Sequence, residues 1–329
     1  MPTIQKNLNG LDRILTLELA RVTERAAVAA ARWRGRGDEK AADQAAVDAM
    51  RQELNRLPID GTVVIGEGER DEAPMLYIGE KVGLQKNGIA IDIALDPLEG
   101  TTICAKNLAN SLAVIAIAER GNLLYAPDVY MQKIAVGPGY PKGVVDIDAL
   151  PADNIHALAK AKGVAVNQVT VCIMDRPRHK KLIEEVRATG ASIRLIGDGD
   201  VAAVIDTTDP DETGVDIYMG IGGAPEGVLA AAALRCIGGQ MQGRLQLDTE
   251  EKIARAAKMG IENPHKVYTM EEMAKGDVLF SATGVTDGNM LSGVKFTPHY
   301  IQTETLVMRS HTGTIRHIKA QHRDYTKFD

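Results

Sequence analysis

Asp92-Ile93-Ala94-Leu95-Asp96-Pro97-Leu98-Glu99-Gly100-Thr101 decides how the rest of the chain is read. The apolar run over 89–95 predicts a buried strand. Pro97 has no N–H to give a ladder and restricts the residue before it, so the strand is expected to stop at Asp96. Two carboxylates, Asp96 and Glu99, then flank a turn. Gly100 tolerates tight or positive-φ backbone, and Thr101 brings a hydroxyl to the start of a helix. That layout suits a site holding divalent cations and a phosphate together, yet it also describes a capped polar turn of a common kind. A second acidic stretch weighs against the plainer reading. Gly66-Glu67-Gly68-Glu69-Arg70-Asp71-Glu72 follows an apolar strand over 62–65, and its crowded acids repel one another unless cations or solvent compensate.

Composition narrows the classes. A chain of 329 residues, 45% hydrophobic, can build one large or two medium domains around a substantial core. Only 4% of residues are aromatic and the net charge is −6, which argues against a nucleic-acid binder. Acidity is compatible with a phosphate ester only if bound cations reverse the local sign. Cys104, Cys172 and Cys236 are odd in number and far apart, so neither a disulfide framework nor a zinc knuckle is expected. Residues 1–10 lack an apolar signal core and no run is long enough for a membrane span, so a cytoplasmic protein without membrane partners is expected.

Along the chain, helical spacing covers 11–33, closing at Gly35-Arg36-Gly37, and again 40–56, stopping before Pro58. Asp43 lies in the first turn of the second helix, where a carboxylate answers the helix dipole. Apolar runs over 111–118 and 122–125, joined through Glu119-Arg120-Gly121, predict an antiparallel hairpin, and 131–136 adds a strand. The Gly- and Pro-rich stretch 137–143 precedes an expected domain boundary, giving an α+β unit over 1–150 and an α/β unit over 151–329. In the second unit, helices over 154–162, 178–189, 201–206 and 226–236 alternate with strands over 169–174, 192–196 and 215–219, as in βαβ units. Asp198-Gly199-Asp200 and the glycine-rich 220–227 are expected just past strand ends, where such sheets bind ligands. A helix over 249–259, a strand over 278–281, and short strands near Thr305 and Ile315 complete the reading.

Three motifs carry a resemblance. Gly66-Glu67-Gly68-Glu69-Arg70-Asp71-Glu72-Ala73-Pro74-Met75-Leu76-Tyr77, then Asp96-Pro97-Leu98-Glu99-Gly100-Thr101, then Gly220-Ile221-Gly222-Gly223-Ala224-Pro225-Glu226-Gly227 resemble the signatures of class II fructose-1,6-bisphosphatase. That family falls within the metal-dependent, lithium-sensitive sugar and inositol phosphatases. The likeness implies a layered αβαβα fold, with two sheets and helices between and outside them. It implies hydrolysis of fructose 1,6-bisphosphate in gluconeogenesis, with sedoheptulose 1,7-bisphosphate as a second substrate of some relatives, by a homodimer or homotetramer using two or more Mn²⁺ or Mg²⁺ ions. Hard oxygen ligands suit those ions. Carried over by resemblance, Asp43 and Glu67 bind one metal, and Asp96, Glu99 and Glu226 another, with the Leu98 carbonyl as an extra ligand. Thr101 orients the attacking water, with Glu69 or Asp71 as base. The substrate meets Glu99, Gly100 and Thr101. Arg176-Pro177-Arg178 clamps a second phosphate, Asp198-Gly199-Asp200 faces sugar hydroxyls, Tyr130 packs on the sugar phosphate, and Gly223 lets backbone come close. Many superfamily members have Asp where this chain has Glu99, and a later Trp-Asp pair that is absent here.

Other phosphate chemistries fit less well. No nucleotide-binding loop, dinucleotide fingerprint or His-Glu-x-x-His is present. Cys172 and Arg178 have the spacing of a cysteine phosphatase, but the glycines of an anion cradle are missing. Asp198-Gly199-Asp200 resembles an aspartyl nucleophile motif, which would leave the Glu67 and Asp96 clusters without a use. A catalytically silent sugar-phosphate sensor is the reading from another class.

Overall fold

The structure is a computed structural model and describes residues 15–66, 76–85 and 88–328. In chain order the first half runs α1 (Leu15–Ala31), α2 (Glu39–Leu54), β1 (Ile59–Ile65), β2 (Lys81–Val82), β3 (Ile89–Glu99), α3 (Thr101–Lys106), β4 (Leu112–Glu119) and β5 (Tyr130–Val136). It continues α4 (Pro151–Lys162), β6 (Thr170–Met174), α5 (Lys180–Ala188), β7 (Ser192–Ile196), α6 (Asp200–Asp206), α7 (Pro210–Thr213), β8 (Ile217–Gly223), α8 (Ala224–Ile237) and β9 (Gln240–Leu245). The last part holds α9 (Glu250–Lys258), β10 (Val267–Thr269), α10 (Met270–Met273), β11 (Val278–Gly284), β12 (Lys295–Phe296), β13 (Ile301–Arg309) and β14 (Thr314–His322).

Two sheets organise these elements. One has the order β12-β13-β11-β4-β3-β1-β2, with β14 paired to β13; the other has the order β10-β9-β5-β8-β6-β7. The second is mixed, as expected: β7, β6 and β8 are parallel, while β5 is antiparallel to both β8 and β9. The chain passes between the sheets more than once. β5 joins the second sheet from before residue 150, and β11 to β14 return to the first.

Burial explains the layering. α1 and α2 cover one face of the first sheet through Leu19, Val22, Val47 and Met50 against Ile91, Ile93 and Ile115. Its other face, with Ala94, Val114, Ala116 and Phe280, packs on α8 and α6, which also meet Met131, Ala135 and Tyr218 of the second sheet. α4 and α5 close the far face over Ile134, Val171 and Ile217. The order is therefore helix, sheet, helix, sheet, helix. α8 sits in the middle because its sequence, Ala-Pro-Glu-Gly-Val-Leu-Ala-Ala-Ala-Ala-Leu-Arg-Cys-Ile, is apolar nearly all round, and only a helix buried on every side reads that way. β4 is apolar on both faces because both are covered.

Several expectations are corrected. β3 does not stop at Asp96. It runs to Glu99 through an irregularity against β4, between Asp96 and Glu99, where the absent N–H of Pro97 is tolerated. Residues 122–125 form no hairpin with β4, whose edges are taken by β3 and β11. Instead Asp92 Oδ2 accepts from the N–H groups of Gly121 (2.6 Å) and Leu123 (3.3 Å), turning the chain away, and Leu123 makes only an isolated bridge to Ala274. The glycines over 220–223 do not form a loop after β8. They are its end, paired with β5. The short strands expected near Thr305 and Ile315 are a long hairpin, β13 and β14. Among the described residues no helix is long and apolar enough to cross a membrane.

The C-terminal segment is held on α1 by a buried polar chain. His322 Nε2–H donates to Thr303 Oγ1 (2.9 Å), whose hydroxyl donates to Glu24 Oε1 (3.2 Å). His322 Nδ1 then accepts from Lys327 Nζ (2.7 Å). Burial first, and the Lys327 charge second, lower the His322 pKa to about 4. The folded value lies below the unfolded one of about 6.5. Stability contributed by the neutral ring is therefore fully present above the unfolded value and is lost as pH falls through the folded one. An NMR titration of the His322 ring is expected to show a midpoint near 4. A midpoint at the ordinary imidazole value would mean that the segment is not docked.

Candidate active site

The irregularity in β3 aims the two carboxylates. Asp92, Ala94 and Asp96 lie opposite Ala118, Ala116 and Val114, so they face the α8 layer. With strict alternation Leu98 would face that way and Glu99 the opposite way. Glu99 instead pairs with Leu112, on the face of Val114, while Leu98 joins the α1–α2 core. One extra residue thus puts Asp96 and Glu99 on the same inner face. Leu98 N–H donates to Asp96 Oδ1 (3.0 Å), and Ser111 Oγ–H to the Glu99 carbonyl (3.0 Å), fixing the bulge. Gly100, at φ 78°, then turns the chain into α3, with Thr101 as its first residue.

The third carboxylate comes from the other sheet. Glu226 lies in the first turn of α8, which starts directly after β8. An oxygen of each of Asp96, Glu99 and Glu226 lies within 4.8 Å of the others. The Val201 N–H at the start of α6 donates to Glu99 Oε1 (3.3 Å). Burial, then Asp96, Asp200 and Glu226 in turn, push the Glu99 carboxyl well up; burial and then Asp200 raise Glu226 to about 7. Glu226 Oε2 is shielded from solvent and has no hydrogen-bond partner among the described residues. Converging carboxylates with an unsatisfied buried oxygen fit a divalent cation, which supplies the missing partner and the missing positive charge. Asp43 is half-buried in the second turn of α2, outside this group of three. Glu67, Glu69 and Asp71 lie outside the described residues.

Lys133 is the residue that sequence reasoning missed. It sits in β5 between Gly220 of β8 and Gly243 of β9, and is 2% exposed. Its ammonium donates to Asp200 Oδ2 and to the Gly223 carbonyl, the latter at 2.8 Å. Tyr218 donates to the same Asp200 oxygen at 3.3 Å. The glycines leave room for this network: a Cβ on Gly222 would lie 2.1 Å from Asp200 Oδ2, and one on Gly223 1.8 Å from Glu226 Oε2. A lysine in a strand whose flanking residues Met131, Ile134, Ala135 and Val136 are apolar was the available signal.

A cavity of about 430 Å³ opens on the cluster, lined by Tyr130, Arg176, Arg178, Asp198, Asp200, Gly223 and Glu226, and also by Asp128 and Lys252. Arg178 Nε donates to the Ile221 carbonyl (2.9 Å), and its guanidinium lies 4.7 Å from the Tyr130 ring centroid. His179, 1% exposed, accepts the Ile221 N–H at Nε2 (2.8 Å) and donates from Nδ1 to the Met174 carbonyl (2.7 Å). Pro177 starts a short 3₁₀ turn past the end of β6, with Arg176 just before it and Arg178 within it. Burial raises the Asp198 carboxyl, against the opposing Gly199 N–H and the Arg176 charge. Gly199, at φ 87°, opens α6 just before Asp200. Cys172 is buried with its thiol pushed up to about 12, which removes the cysteine-phosphatase reading because the thiolate is the nucleophile.

The chain is similar in sequence to known proteins. The family model described as bacterial fructose-1,6-bisphosphatase, glpX-encoded, matches residues 13–322. The D-fructose 1,6-bisphosphatase class 2/sedoheptulose 1,7-bisphosphatase of Synechococcus sp. (strain JA-3-3Ab) is 48% identical over 336 residues, which cover 95% of this chain and 96% of the relative. The protein of the same description from Synechocystis sp. (strain ATCC 27184 / PCC 6803 / Kazusa) is 45% identical, over 95% of this chain and 97% of its own. A crystal structure of extragenic suppressor protein suhB from Bartonella henselae aligns with 59% of this chain and 72% of that chain, at 14% identity and a TM-score of 0.34. The match to the family model runs through the whole described site, from α2 to β14, and the chain belongs to the bacterial, glpX-encoded fructose-1,6-bisphosphatase family.

Proposed function

We propose that the protein hydrolyses fructose 1,6-bisphosphate to fructose 6-phosphate and phosphate, and that sedoheptulose 1,7-bisphosphate, which the names of its relatives include, is a second substrate. The observation that carries this reading is the meeting of Asp96, Glu99 and Glu226 beside a cavity that Glu226 lines together with Arg176 and Arg178. A phosphate monoester with a second anionic group matches both ends. Mn²⁺ or Mg²⁺, two or more per site, would be held by these carboxylates, with Asp43 and Glu67 as further ligands; when bound, such ions neutralise phosphoryl charge and acidify a water.

The chain's own groups do the rest. Thr101, two residues after Glu99 and at the start of α3, accepts or passes a hydrogen bond from the attacking water in this proposal, and Glu69 or Asp71 takes its proton. Water adds its oxygen to phosphorus as the P–O bond to the sugar breaks, and the leaving sugar oxygen gains a proton. Arg176 and Arg178 hold the phosphate that is not transferred. Lys133 and Tyr218 occupy Asp200 Oδ2, which leaves Oδ1 for sugar hydroxyls. Assembly as a homodimer or homotetramer belongs to the same proposal.

Phosphate release from both ketose bisphosphates is expected with Mn²⁺ or Mg²⁺ and is expected to vanish in EDTA. Asp96→Ala should lower it by about a hundredfold or more. Full activity of Asp96→Ala would remove the site assignment, and no release by folded, metal-loaded wild type would favour the sensor. A separate expectation concerns Lys133. Lys133→Met strands a buried carboxylate at Asp200 and should cost about 3–5 kcal/mol of stability. Adding Asp200→Asn should recover part of that loss in urea denaturation; a double variant less stable than Lys133→Met would contradict the pairing.

A further inference from the structure

The cavity has one lining element that the family motifs leave unassigned. Its lining from β5, the end of β6, the β7–α6 turn and the β8–α8 junction accounts for Tyr130, Arg176, Arg178, Asp198, Asp200, Gly223 and Glu226. α9 adds one residue, Lys252. Its ammonium is held by Asp248 (2.6 Å), one helical turn before it, with the lysine side chain 30% and the aspartate 69% exposed. An ion pair that open to water is worth about 0–1 kcal/mol, so a doubly charged phosphate can take the ammonium from Asp248.

The three cations of the cavity differ in freedom. Arg178 is pinned at Nε by the Ile221 carbonyl and on its face by Tyr130, and the next residue, His179, holds the Ile221 N–H. Its guanidinium therefore marks a fixed point. Lys252 is a point charge on a flexible four-carbon stem, brought to the cavity lining by α9. A ketose bisphosphate with one more carbon puts its second phosphate farther from the reacting one, where a rigid arginine cannot follow and a lysine can.

We propose that Lys252 binds the phosphate that is not transferred and is the adjustable contact that lets one cavity accept ketose bisphosphates of different length. This rests on the hydrolase reading. The substrate class it assigns to Lys252 is the second phosphate of a bisphosphate, so a monoester with no second phosphate makes no use of it.

Lys252→Met tests this, since the residue lies on the surface and its loss leaves no buried charge. Steady-state rates would be measured for wild type and variant on fructose 1,6-bisphosphate, sedoheptulose 1,7-bisphosphate and p-nitrophenyl phosphate. For the two bisphosphates KM should rise about tenfold, more for the seven-carbon sugar, with kcat nearly unchanged and the monoester unaffected. An unchanged KM, a loss shared by the monoester, or an equal loss on both bisphosphates would overturn the proposal. Wild-type turnover separates the two levels: if wild type releases phosphate and the variant behaves identically, only the role of Lys252 fails; if wild type releases none, the hydrolase reading fails and this inference with it.

Discussion

The site depends on one extra residue in β3. A strand sends successive side chains to opposite faces, so Asp96 and Glu99, three apart, belong on opposite sides of a regular strand. The bulge at Pro97-Leu98 changes the parity and brings both to the face toward α8. The inner face is also the only one that can meet Glu226, because α8 is the layer between the sheets. Pro97 suits the bulge because it has no N–H to leave unpaired, and Leu98 anchors it by packing into the α1–α2 core.

Bringing carboxylates together in a buried place is unfavourable in itself. On top of burial, Asp96, Asp200 and Glu226 raise the proton affinity of Glu99, and Asp200 raises that of Glu226. The fold offsets part of this with its own charge and dipoles: Lys133 on Asp200, and the Val201 N–H on Glu99. Glycines make these contacts possible, since any side chain at Gly222 or Gly223 would strike Asp200 or Glu226. The part left unbalanced is the shielded oxygen of Glu226, and it lies where a cation would serve Asp96 and Glu99 as well. Assembly of the site and its fit to a cation follow from the same crowding.

Much of the architecture was legible because it was written in burial. β4 and α8 are apolar on every side, and both lie where two faces are covered. The alternating helices and strands of 151–237 produced the mixed second sheet. What was illegible required partners distant in sequence. β5 crosses to the second sheet and β11 to β14 return to the first, and no local period encodes that choice. Asp92, at the head of the deciding stretch, caps the turn at Gly121, a contact between residues 29 apart. Proline and glycine were read as stops at Pro97 and Gly220, whereas both occur inside strands, at a bulge and beside a buried lysine. Lys133 and Lys252 belong to no motif: the buried pairing with Asp200 gives the first its meaning, and the cavity gives it to the second.

The central claim is that a bulged strand and the start of α8 form a divalent-cation site between the sheets. Crystals grown with Mn²⁺ and measured at an energy where manganese scatters anomalously would test it directly. The account predicts an anomalous peak bounded by the carboxylates of Asp96, Glu99 and Glu226, and its loss in Glu226→Ala crystals prepared the same way. Manganese bound elsewhere, with these three carboxylates bridged only by water, would contradict it.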